Sequence, residues 1–349
     1  MSELITINDL VVSFETEEEL KNGASQVVSG LRPDWKMSDH QYKIFNDGIT
    51  NRLVGVFQNG DKSDMILVRV YGNKSELFVD RQAEIRNIRL MSQKGFGGKL
   101  YATFSNGLAY QFVQGDILNV ETCRNPEVYP EVARTVARMH RDASEGSKKA
   151  EACIWKKIQT FLDLSPDEFP DNPEKNSRYQ ERVFSKAQRE AEIKELKSVL
   201  ENLGSPIVFC HNDLLLANIV VQPGNKIQFI DYEYGDFNYQ AFDIADHFCE
   251  FAGIDSQQMD YANLYPDKEF QTKWLRIYLE TLYEDREVTS EEVDSLYRTV
   301  NKFALLVRLF WGTWALVQAN ISGIDFDFLG YAILILDEYK RRKNEFLAL

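Results

Sequence analysis

Several features that mark common protein classes are scarce in this 349-residue sequence. It has only 4 cysteines and no C-x-x-C pair, which excludes a disulfide-rich secreted scaffold and favours a reduced, cytoplasmic compartment. Its 40 basic residues are outnumbered by 54 acidic ones, and the formal net charge of −14 repels the phosphate backbone that a nucleic-acid-binding protein must neutralise. We therefore expect no nucleic-acid partner.

Long apolar runs are missing as well. The longest apolar window, FALLVRLFWGTWALVQA at residues 303–319, contains Arg308 and Gln318 and is shorter than the roughly 20 apolar residues that cross a bilayer. The N-terminal MSELITINDLVVSFETEEEL has no basic stretch followed by an apolar core, so we expect no signal peptide. We interpret the 303–319 window as a buried helix and expect no transmembrane segment.

The first third of the sequence contains short apolar runs separated by turn residues. An acidic segment at about 16–32 is predicted to be helical, and residues 77–94 have helical spacing and end at Gly95. The runs QYKIF, RLVGVF, MILVRVYG, KLYATF and LAYQFV are mostly separated by glycine-containing turns, which predicts hairpins. Residues 1–115 are thus predicted to form a small lobe with a helical leader, a five-stranded antiparallel sheet and one packed helix.

From about residue 126 onward, long amphipathic helical patterns dominate the sequence. Residues 165–180, rich in proline, aspartate and asparagine, are predicted to be a surface loop, and the charged run 181–202 an exposed helix. Residues 116–349 are therefore predicted to form a large, mainly helical lobe. The fold class is α+β with two lobes.

Two short stretches within the helical region carry side chains suited to phosphoryl transfer. CHNDLLLAN at 210–218 and FIDYEYGD at 229–236 adjoin short apolar strands, which predicts that Asp213, Asn218 and Asp231 lie at one edge of a small β structure. Mg²⁺ bound to ATP prefers hard oxygen ligands, which Asn218 and Asp231 provide. A carboxylate beside the attacking hydroxyl must orient it and accept its proton, and Asp213 suits that role. The pattern predicts an ATP- and Mg²⁺-dependent kinase.

Structural roles for these residues stay open at this point. Asp213 and Asn218 also suit a turn aspartate and a cap asparagine, and Asp231 an aspartate at a strand end. His211 is expected to fix the loop by hydrogen bonding and not to transfer protons.

A second kinase-like motif lies upstream. MHRDASEGS at 139–147 contains His-Arg-Asp, but Ser147 stands where a metal-binding asparagine would be needed. The surrounding VARTVARMHRDA has helical periodicity, so His140 and Asp142 are predicted to be helix-end residues without a catalytic role.

The motifs together resemble the choline/ethanolamine kinase family. The resemblance extends from about residue 30 to 342, and it is carried by GITNRL (48–53), LVRVYGNK (67–74), CHNDLLLANI (210–219), FIDYEYGDFNYQAFDIADHFCEF (229–251), FWGTWALVQA and IDFDFLGYA. It implies a protein-kinase-like fold, ATP and Mg²⁺ as cofactors, and phosphorylation of the hydroxyl of a small amino alcohol as the first step toward phospholipid head groups. It also implies the same roles for Asp213, Asn218 and Asp231 as the oxygen-ligand argument.

For ATP, the resemblance points to the NDGITN turn and to the end of the last small-lobe strand. Gly48 permits close backbone approach, and Thr50 and Asn51 donate hydrogen bonds to phosphate oxygens. A hairpin turn with no further role is the alternative. Backbone groups from Gln111 to Val113 lie where kinase-like folds bind adenine.

A mid-strand cation is the next expected nucleotide contact. Arg69 in LVRVYG has apolar neighbours, where a cation is costly unless paired, and Glu84 on the following helix is its natural partner. The pair would mirror the kinase lysine–glutamate pair that orients phosphates. An ordinary surface arginine is the alternative.

The AFDIADH stretch supplies an expected support for the catalytic loop. Asp243 corresponds to the buried aspartate that braces this loop in the family, although an ordinary helix-start cap fits its position too. The family usually has Gly-Asn where this chain has Ala245 and Asp246. We expect this departure to alter local helix packing and not the phosphate site.

A cationic amino alcohol requires acidic groups or aromatic faces in its pocket. The resemblance places Glu250, Trp311, Trp314 and Tyr331 around the substrate. Without it, the helical spacing of the two tryptophans is typical of core packing, and Glu250 would be a solvated helix residue.

Ethanolamine is the preferred substrate in this interpretation. HND is followed by Leu214 and Leu215, and Glu250 by Phe-Ala-Gly, where choline kinases usually have HND-Cys-Gln and Glu-Trp with further aromatics. A choline or dual-specificity kinase is the first alternative, and a catalytically inactive kinase-fold binding module the second. An antibiotic or sugar phosphotransferase would lack the C-terminal tryptophan pair. A homodimer is compatible with the sequence.

Overall fold

The fold comes from a computed structural model, which describes residues 4–45, 51–72, 79–145, 150–253 and 259–349. The chain divides into two compact units. The first comprises Met1–Asp116 together with Gln228–Glu233, and the second comprises Ile117–Ile227 together with Tyr234–Leu349. The segment that carries Asp231 therefore belongs to the first unit. The division predicted from the sequence, 1–115 and 116–349, assigns this segment to the larger lobe.

The first unit contains two helices and a sheet among its described residues. Its elements are β1 (Ile5–Ile7), α1 (Glu17–Leu31), β2 (Gln41–Phe45), β3 (Asn51–Gln58), β4 (Asp61–Tyr71), α2 (Arg81–Lys94), β5 (Leu100–Phe104) and β6 (Gly107–Gln111). The described strands form a six-stranded sheet in the order β1-β5-β6-β4-β3-β2. Strands β2 to β6 pair antiparallel, as the sequence predicts.

Strand β1 corrects the predicted count of five strands. Ile5 pairs with Ala102 and Ile7 with Phe104, in parallel register with β5. The strand has only three residues, and its partner lies almost a hundred residues further along the chain. Neither its length nor a neighbouring turn could reveal it in the sequence.

Alternation along β4 determines which side chains face α1 and which face the other side of the sheet. Ile66, Val68 and Val70 are buried in a core shared with residues of α1, so Arg69 lies on the opposite face. Helix α1 begins at a capping box in which Thr16 and Glu19 satisfy each other's backbone N–H groups.

Helix α2 starts later than its apolar spacing predicts. Asp80 is its N-cap and accepts hydrogen bonds from the backbone N–H groups of Gln82 and Ala83, so the helix begins at Arg81 and not at residue 77. It ends at Gly95, with φ of 82°, as predicted.

The second unit is mainly helical. Its helices are α3 (Tyr129–Asp142), α4 (Ile154–Leu164), α5 (Pro173–Arg182), α6 (Lys186–Leu200), α7 (Gln240–Cys249), α8 (Tyr261–Leu264), α9 (Lys268–Leu282), α10 (Ser290–Ile321) and α11 (Phe328–Ala348). The remaining described strands are short: β7 (Asp116–Ile117), β8 (Ile207–Cys210), β9 (Ile219–Gln222), β10 (Lys226–Phe229) and β11 (Asp236–Tyr239). The division between the units falls within β7 and β10. Strand β8 pairs antiparallel with β11, and a three-stranded sheet has the order β10-β9-β7.

Helix α5 shows that the predicted surface loop at 165–180 was wrong over its second half. Asn172 caps the helix by accepting a hydrogen bond from the backbone N–H of Lys175, and Pro173 occupies the first helical position. Proline and asparagine therefore start a helix here. The charged run 181–202 is interrupted between α5 and α6, and α6 is amphipathic, with Leu196 and Leu200 buried.

Helix α10 is the core of the second unit and packs against α4, α7, α9 and α11. By length and composition it could cross a membrane, but 94% of its most apolar window is buried inside the protein. The predicted buried helix at 303–319 is confirmed.

Candidate active site

Residues 211–218, which the sequence predicts to be the catalytic loop, connect β8 to β9 and are held by a carboxylate from α7. Asp243 accepts hydrogen bonds from the backbone N–H of His211, at 2.9 Å, and of Asn212, at 2.6 Å. Asn212 has a positive φ of 63°, and its side-chain amide donates to the carbonyl oxygens of Tyr234 and Asp236. The backbone just before Asp213 is therefore fixed by several buried hydrogen bonds.

His140 contributes to the same network. It lies in the last turn of α3, as predicted, but it is fully buried. Its Nε2 is 2.9 Å from Asp243 Oδ2, and its Nδ1 is 2.7 Å from the Tyr278 hydroxyl. The upstream His-Arg-Asp motif thus supplies a support for the carboxylate that holds the catalytic loop, a contact that helical periodicity could not reveal.

Asp213 and Asn218 lie next to each other in the loop. The Asn218 side-chain nitrogen donates to the Asp213 carbonyl oxygen at 3.0 Å and to its Oδ2 at 3.2 Å. Both side chains are buried, with 8% and 7% of their surface exposed. Because the amide nitrogen faces Asp213, the amide oxygen points elsewhere and can serve as a hard ligand for a cation.

Asp231 belongs to the first unit, where it is paired with the predicted nucleotide-site arginine. Its backbone φ is 63°, and its Oδ1 is 2.6 Å from Arg69 Nη1. Arg69 also forms an ion pair with Glu84, so the predicted Arg69–Glu84 pair is present. Burial alone would lower the pKa of Arg69, but the negative charges around it, Asp231 first, raise the pKa overall. The arginine stays charged.

Arg81 and Glu233, which the sequence analysis did not single out, extend this network. Arg81 Nη1 lies 3.0 Å from Glu84 Oε2 and 3.3 Å from Glu233 Oε2. Asn51 donates from its amide nitrogen to the same Glu233 oxygen at 3.3 Å. Burial and the nearby Asp231 raise the pKa of Glu233, against the two arginines.

The carboxylates of this network could bind a cation. Glu84, Asp231 and Glu233 each offer an oxygen, and these oxygens lie within 4.8 Å of one another. Gly48 and Thr50, the other predicted phosphate contacts, lie outside the described residues.

The predicted adenine segment lies at the end of β6. The Gln111 N–H donates to the Lys99 carbonyl at 2.8 Å, and the Phe112 N–H to the Met65 carbonyl at 3.2 Å. Val113 is buried. Because these two N–H groups are used within the first unit, adenine contacts here would involve the carbonyl groups or Val113.

The predicted substrate residues come together in the second unit. The rings of Trp311 and Trp314 are perpendicular, with centroids 5.6 Å apart, and Tyr234 packs on Trp311 at 5.3 Å. The Trp311 Nε1 donates to Asp246 Oδ1 at 2.7 Å. Glu250 is 8% exposed, so the alternative of a solvated helix residue is wrong.

The pKa of the Tyr331 hydroxyl shows which acidic groups lie near this tyrosine. Burial raises the pKa of Tyr331, and the negative charges of Glu250, Asp246 and Asp213 raise it further. Burial and the Asp246 charge also raise the pKa of Glu250. Three carboxyl groups and several aromatic rings therefore lie in one buried region, and these are the kinds of group that bind a cationic ligand.

Sequence reasoning assigned Asp246 an effect on helix packing and no contact with the loop that carries Asp213. The second oxygen of Asp246, Oδ2, accepts a hydrogen bond of 2.7 Å from the backbone N–H of Leu214, directly after Asp213. Asp243, Asp246 and Glu250 are spaced three and four residues apart, and this spacing was the available signal.

Comparison with known proteins identifies the class to which this fold and site belong. The family model for choline/ethanolamine kinase matches residues 42–340. Human ethanolamine kinase 1 is 41% identical over 346 residues, covering 98% of this chain and 76% of that protein. Drosophila melanogaster ethanolamine kinase is 39% identical over 416 aligned residues, covering 96% of this chain and 80% of that protein.

Solved structures agree with this relationship. The structure of an ethanolamine kinase from Plasmodium vivax has a TM-score of 0.80 and 27% identity, covering 94% of this chain and 90% of that one. Choline kinase from Cryptosporidium parvum, with a TM-score of 0.75 and 22% identity over 93% of this chain and 96% of that one, has the same fold. The protein-kinase-like fold expected from the sequence is confirmed. The chain belongs to the choline/ethanolamine kinase family.

Proposed function

We propose that this protein is an ethanolamine kinase, which transfers the γ-phosphoryl group of ATP to the ethanolamine hydroxyl as the first step of phosphatidylethanolamine synthesis. The observation that supports this most directly is the pocket in the second unit, where Glu250 and Asp246 lie within electrostatic range of Tyr331 together with Asp213. The proposed base and the acidic groups proposed to bind the ammonium are thus close enough to act on the same tyrosine. The relatives at about 40% identity are named ethanolamine kinases.

In this proposal Asp213 orients the hydroxyl of the substrate and accepts its proton. The hydroxyl oxygen attacks the γ-phosphorus, the bond from this phosphorus to the β–γ bridging oxygen breaks, and ADP leaves with that oxygen. The Asn218 amide, bonded to Asp213 Oδ2, limits rotation of the carboxylate. A carboxylate held in this way suits a general base.

Asn218 and Asp231 are the proposed Mg²⁺ ligands. Their amide and carboxylate oxygens are of the hard type that Mg²⁺ prefers, and the Asn218 nitrogen is already engaged with Asp213. When bound with ATP, Mg²⁺ neutralises charge on the phosphates. His211 and Asp243 keep the loop in position.

For the nucleotide, Arg69 is the proposed phosphate-orienting cation. Glu84 fixes its guanidinium through their ion pair. Gly48, Thr50 and Asn51 would contact the phosphates, and the strand end from Gln111 to Val113 the adenine.

The same pocket supports ethanolamine over choline. A primary ammonium has three N–H donors, which match carboxylate acceptors such as Glu250, whereas a trimethylammonium group has none. Trp311, Trp314 and Tyr331 would enclose the two-carbon chain. Choline or dual specificity remains the second candidate, because aromatic faces also bind quaternary ammonium ions.

The test is turnover of ethanolamine and of choline by purified protein with MgATP. We expect phosphoethanolamine as product, a higher kcat/KM for ethanolamine, and loss of turnover in Asp213→Ala with an unchanged melting temperature. Asp142→Ala is the matched control, because Asp142 is the partly exposed aspartate of the upstream motif and is expected to be dispensable. An Asp213→Ala variant with near-parental turnover would refute the assigned base, and an inactive parent would favour a binding module.

Location and assembly complete the proposal. The four cysteines form no disulfide, which supports a reduced, cytoplasmic site of action. Cell fractionation tests this, since recovery with membranes would contradict it. A homodimer is the proposed assembly, and light scattering on purified protein distinguishes one chain of 40.4 kDa from two.

A further inference from the structure

Asp246 has an environment that a packing residue does not need. It lies in α7, is 1% exposed, and uses its two carboxylate oxygens for two different parts of the pocket. Oδ2 accepts from the Leu214 backbone N–H at 2.7 Å, and Oδ1 accepts from the Trp311 indole N–H at 2.7 Å. One side chain thus connects the catalytic loop to a wall of the substrate pocket.

An asparagine could not satisfy both donors in the same way. Its amide group has one oxygen and one NH₂, so the nitrogen would face either the Leu214 N–H or the Trp311 indole N–H. That donor would be buried without its acceptor. The carboxylate at 246 therefore adds both a charge and a second hydrogen-bond acceptor, relative to the asparagine expected from the family resemblance.

Most titratable groups near Asp246 are acidic. The acidic groups in this part of the second unit come from three places in the chain: Asp243, Cys249 and Glu250 follow along one helical segment, Asp213 lies on the catalytic loop, and Tyr331 lies on α11. The Arg308–Glu338 pair lies near Cys249. Arg308 is turned toward Glu338 and the rings of Tyr261 and Tyr265. Burial favours the neutral forms of these carboxyl groups, and a bound cation would favour their ionised forms.

We propose that Asp246 is a specificity-determining residue, which selects a primary ammonium over a quaternary one by adding a second buried carboxylate beside Glu250 and by orienting Trp311. This inference deepens the proposed function and depends on the substrate pocket assigned there. Coulomb attraction falls with distance. A primary ammonium approaches a carboxylate to about 2.8 Å, whereas the methyl groups of choline keep its charge further away. Added negative charge therefore favours ethanolamine more than choline.

Protonation of Asp246 provides a test of this role. Burial, partly offset by the Trp311 hydrogen bond, raises the pKa of Asp246 to about 8. Below this pH the free enzyme carries a neutral carboxyl, and a cation binds the ionised form better. Affinity for ethanolamine should therefore rise as pH increases toward about 8 and then level off. Removing the charge at 246 should lower the pKa of Glu250, which Asp246 now raises.

The experiment compares the parent with Asp246→Asn and Trp311→Phe. Binding of ethanolamine and choline is measured by calorimetry without ATP, and kcat and KM are measured for both alcohols from pH 6 to 9. For Asp246→Asn we expect at least about a 10-fold weaker binding of ethanolamine, a change in choline binding of less than about 3-fold, and a lower midpoint of the pH profile. Disturbance of the hydrogen bond to the Leu214 N–H would lower kcat for both alcohols alike, so the binding ratio and not kcat reports on selectivity. Trp311→Phe keeps the charge and loses the indole hydrogen bond, so the midpoint should not fall.

Three results would overturn the inference or separate it from the proposed function. Equal losses for both alcohols in Asp246→Asn, with an unmoved pH midpoint, would make Asp246 a structural residue only. If Asp246→Asn does not fold, the parent decides: its ethanolamine-to-choline binding ratio should fall from pH 9 to pH 6, and a constant ratio refutes the inference. If the parent turns over neither alcohol but shows this pH-dependent ratio, and Asp246→Asn shifts it, the kinase proposal fails and the role of Asp246 stands.

Discussion

Asp243 offers the sharpest test of how the catalytic loop is held. Its carboxylate accepts three buried hydrogen bonds, from the backbone N–H groups of His211 and Asn212 and from His140 Nε2. Asp243→Ala removes both acceptor oxygens and thereby all three hydrogen bonds. A buried donor without an acceptor costs about 1–3 kcal/mol, so the sum is about 3–9 kcal/mol. A typical domain has only about 5–15 kcal/mol of stability. We expect this variant to be largely unfolded at 37 °C.

Asp243→Asn separates stability from position. The remaining oxygen can accept from Asn212, and His140 can accept from the new amide if its proton lies on Nδ1, toward Tyr278. The His211 N–H is then the donor left without an acceptor, which costs about 1–3 kcal/mol. The variant should fold, but a loop shift of about 1 Å can reduce kcat by about 100-fold.

Urea unfolding followed by circular dichroism, together with kcat at saturating substrates, measures both effects. Tyr278→Phe is the control, because it removes a hydroxyl bonded to His140 and Gln240 and leaves the loop contacts in place. We expect it to lower stability modestly and to keep kcat within a few-fold of the parent. If Asp243→Ala were no less stable than Tyr278→Phe, or if Asp243→Asn kept full kcat, the carboxylate would not hold the loop.

Two further predictions concern the first unit. Gly23→Ala should destabilise the protein by roughly 1–2 kcal/mol in thermal unfolding, because a Cβ at this position would lie 2.6 Å from Val12 Cγ1. Gly30→Ala in the same helix is the control: its Cβ would meet only one atom, at 3.6 Å, so it should be neutral or stabilising by up to about 1 kcal/mol. Equal effects of the two substitutions would contradict the packing of α1. Arg69→Lys should raise the KM for ATP by about 10-fold with ethanolamine saturating. The reason is that an ammonium is a single point charge, which cannot hold Glu84 and Asp231 together as the forked guanidinium does. An unchanged KM would show that the guanidinium has no part in binding phosphate.

Local signals in the sequence predicted much of the fold. The turn at Asn59 and Gly60, with φ of 55° and 72°, joins β3 to β4 as its dipeptide predicts, and the helix end at Gly95 is visible in the same way. Features that depend on distant partners were missed. Strand β1 exists only because residue 102 and its neighbours are available for pairing.

The candidate site follows the same division. The spacing of Asp213 and Asn218 is a local motif, so the sequence predicts their neighbourhood. Asp246 contacts one residue that is 32 positions away in the sequence and another that is 65 positions away. His140 contacts a residue 103 positions further along the chain. Such contacts depend on how helices pack, which a single sequence does not state. The sequence predicted that Asp246 affects helix packing, but it did not reveal that Asp246 also contacts the catalytic loop.

The assignment of Gln228–Glu233 to the first unit has a consequence for synthesis on the ribosome. A nascent chain that has exposed only its first 116 residues already contains Arg69 and Glu84, but it lacks Asp231 and Glu233. Two arginines would then share the Glu84 carboxylate. The first unit can therefore reach its final charge balance only after more than a hundred further residues have emerged, and a fragment that stops at residue 116 should be a poor substitute for the unit as it exists in the whole chain.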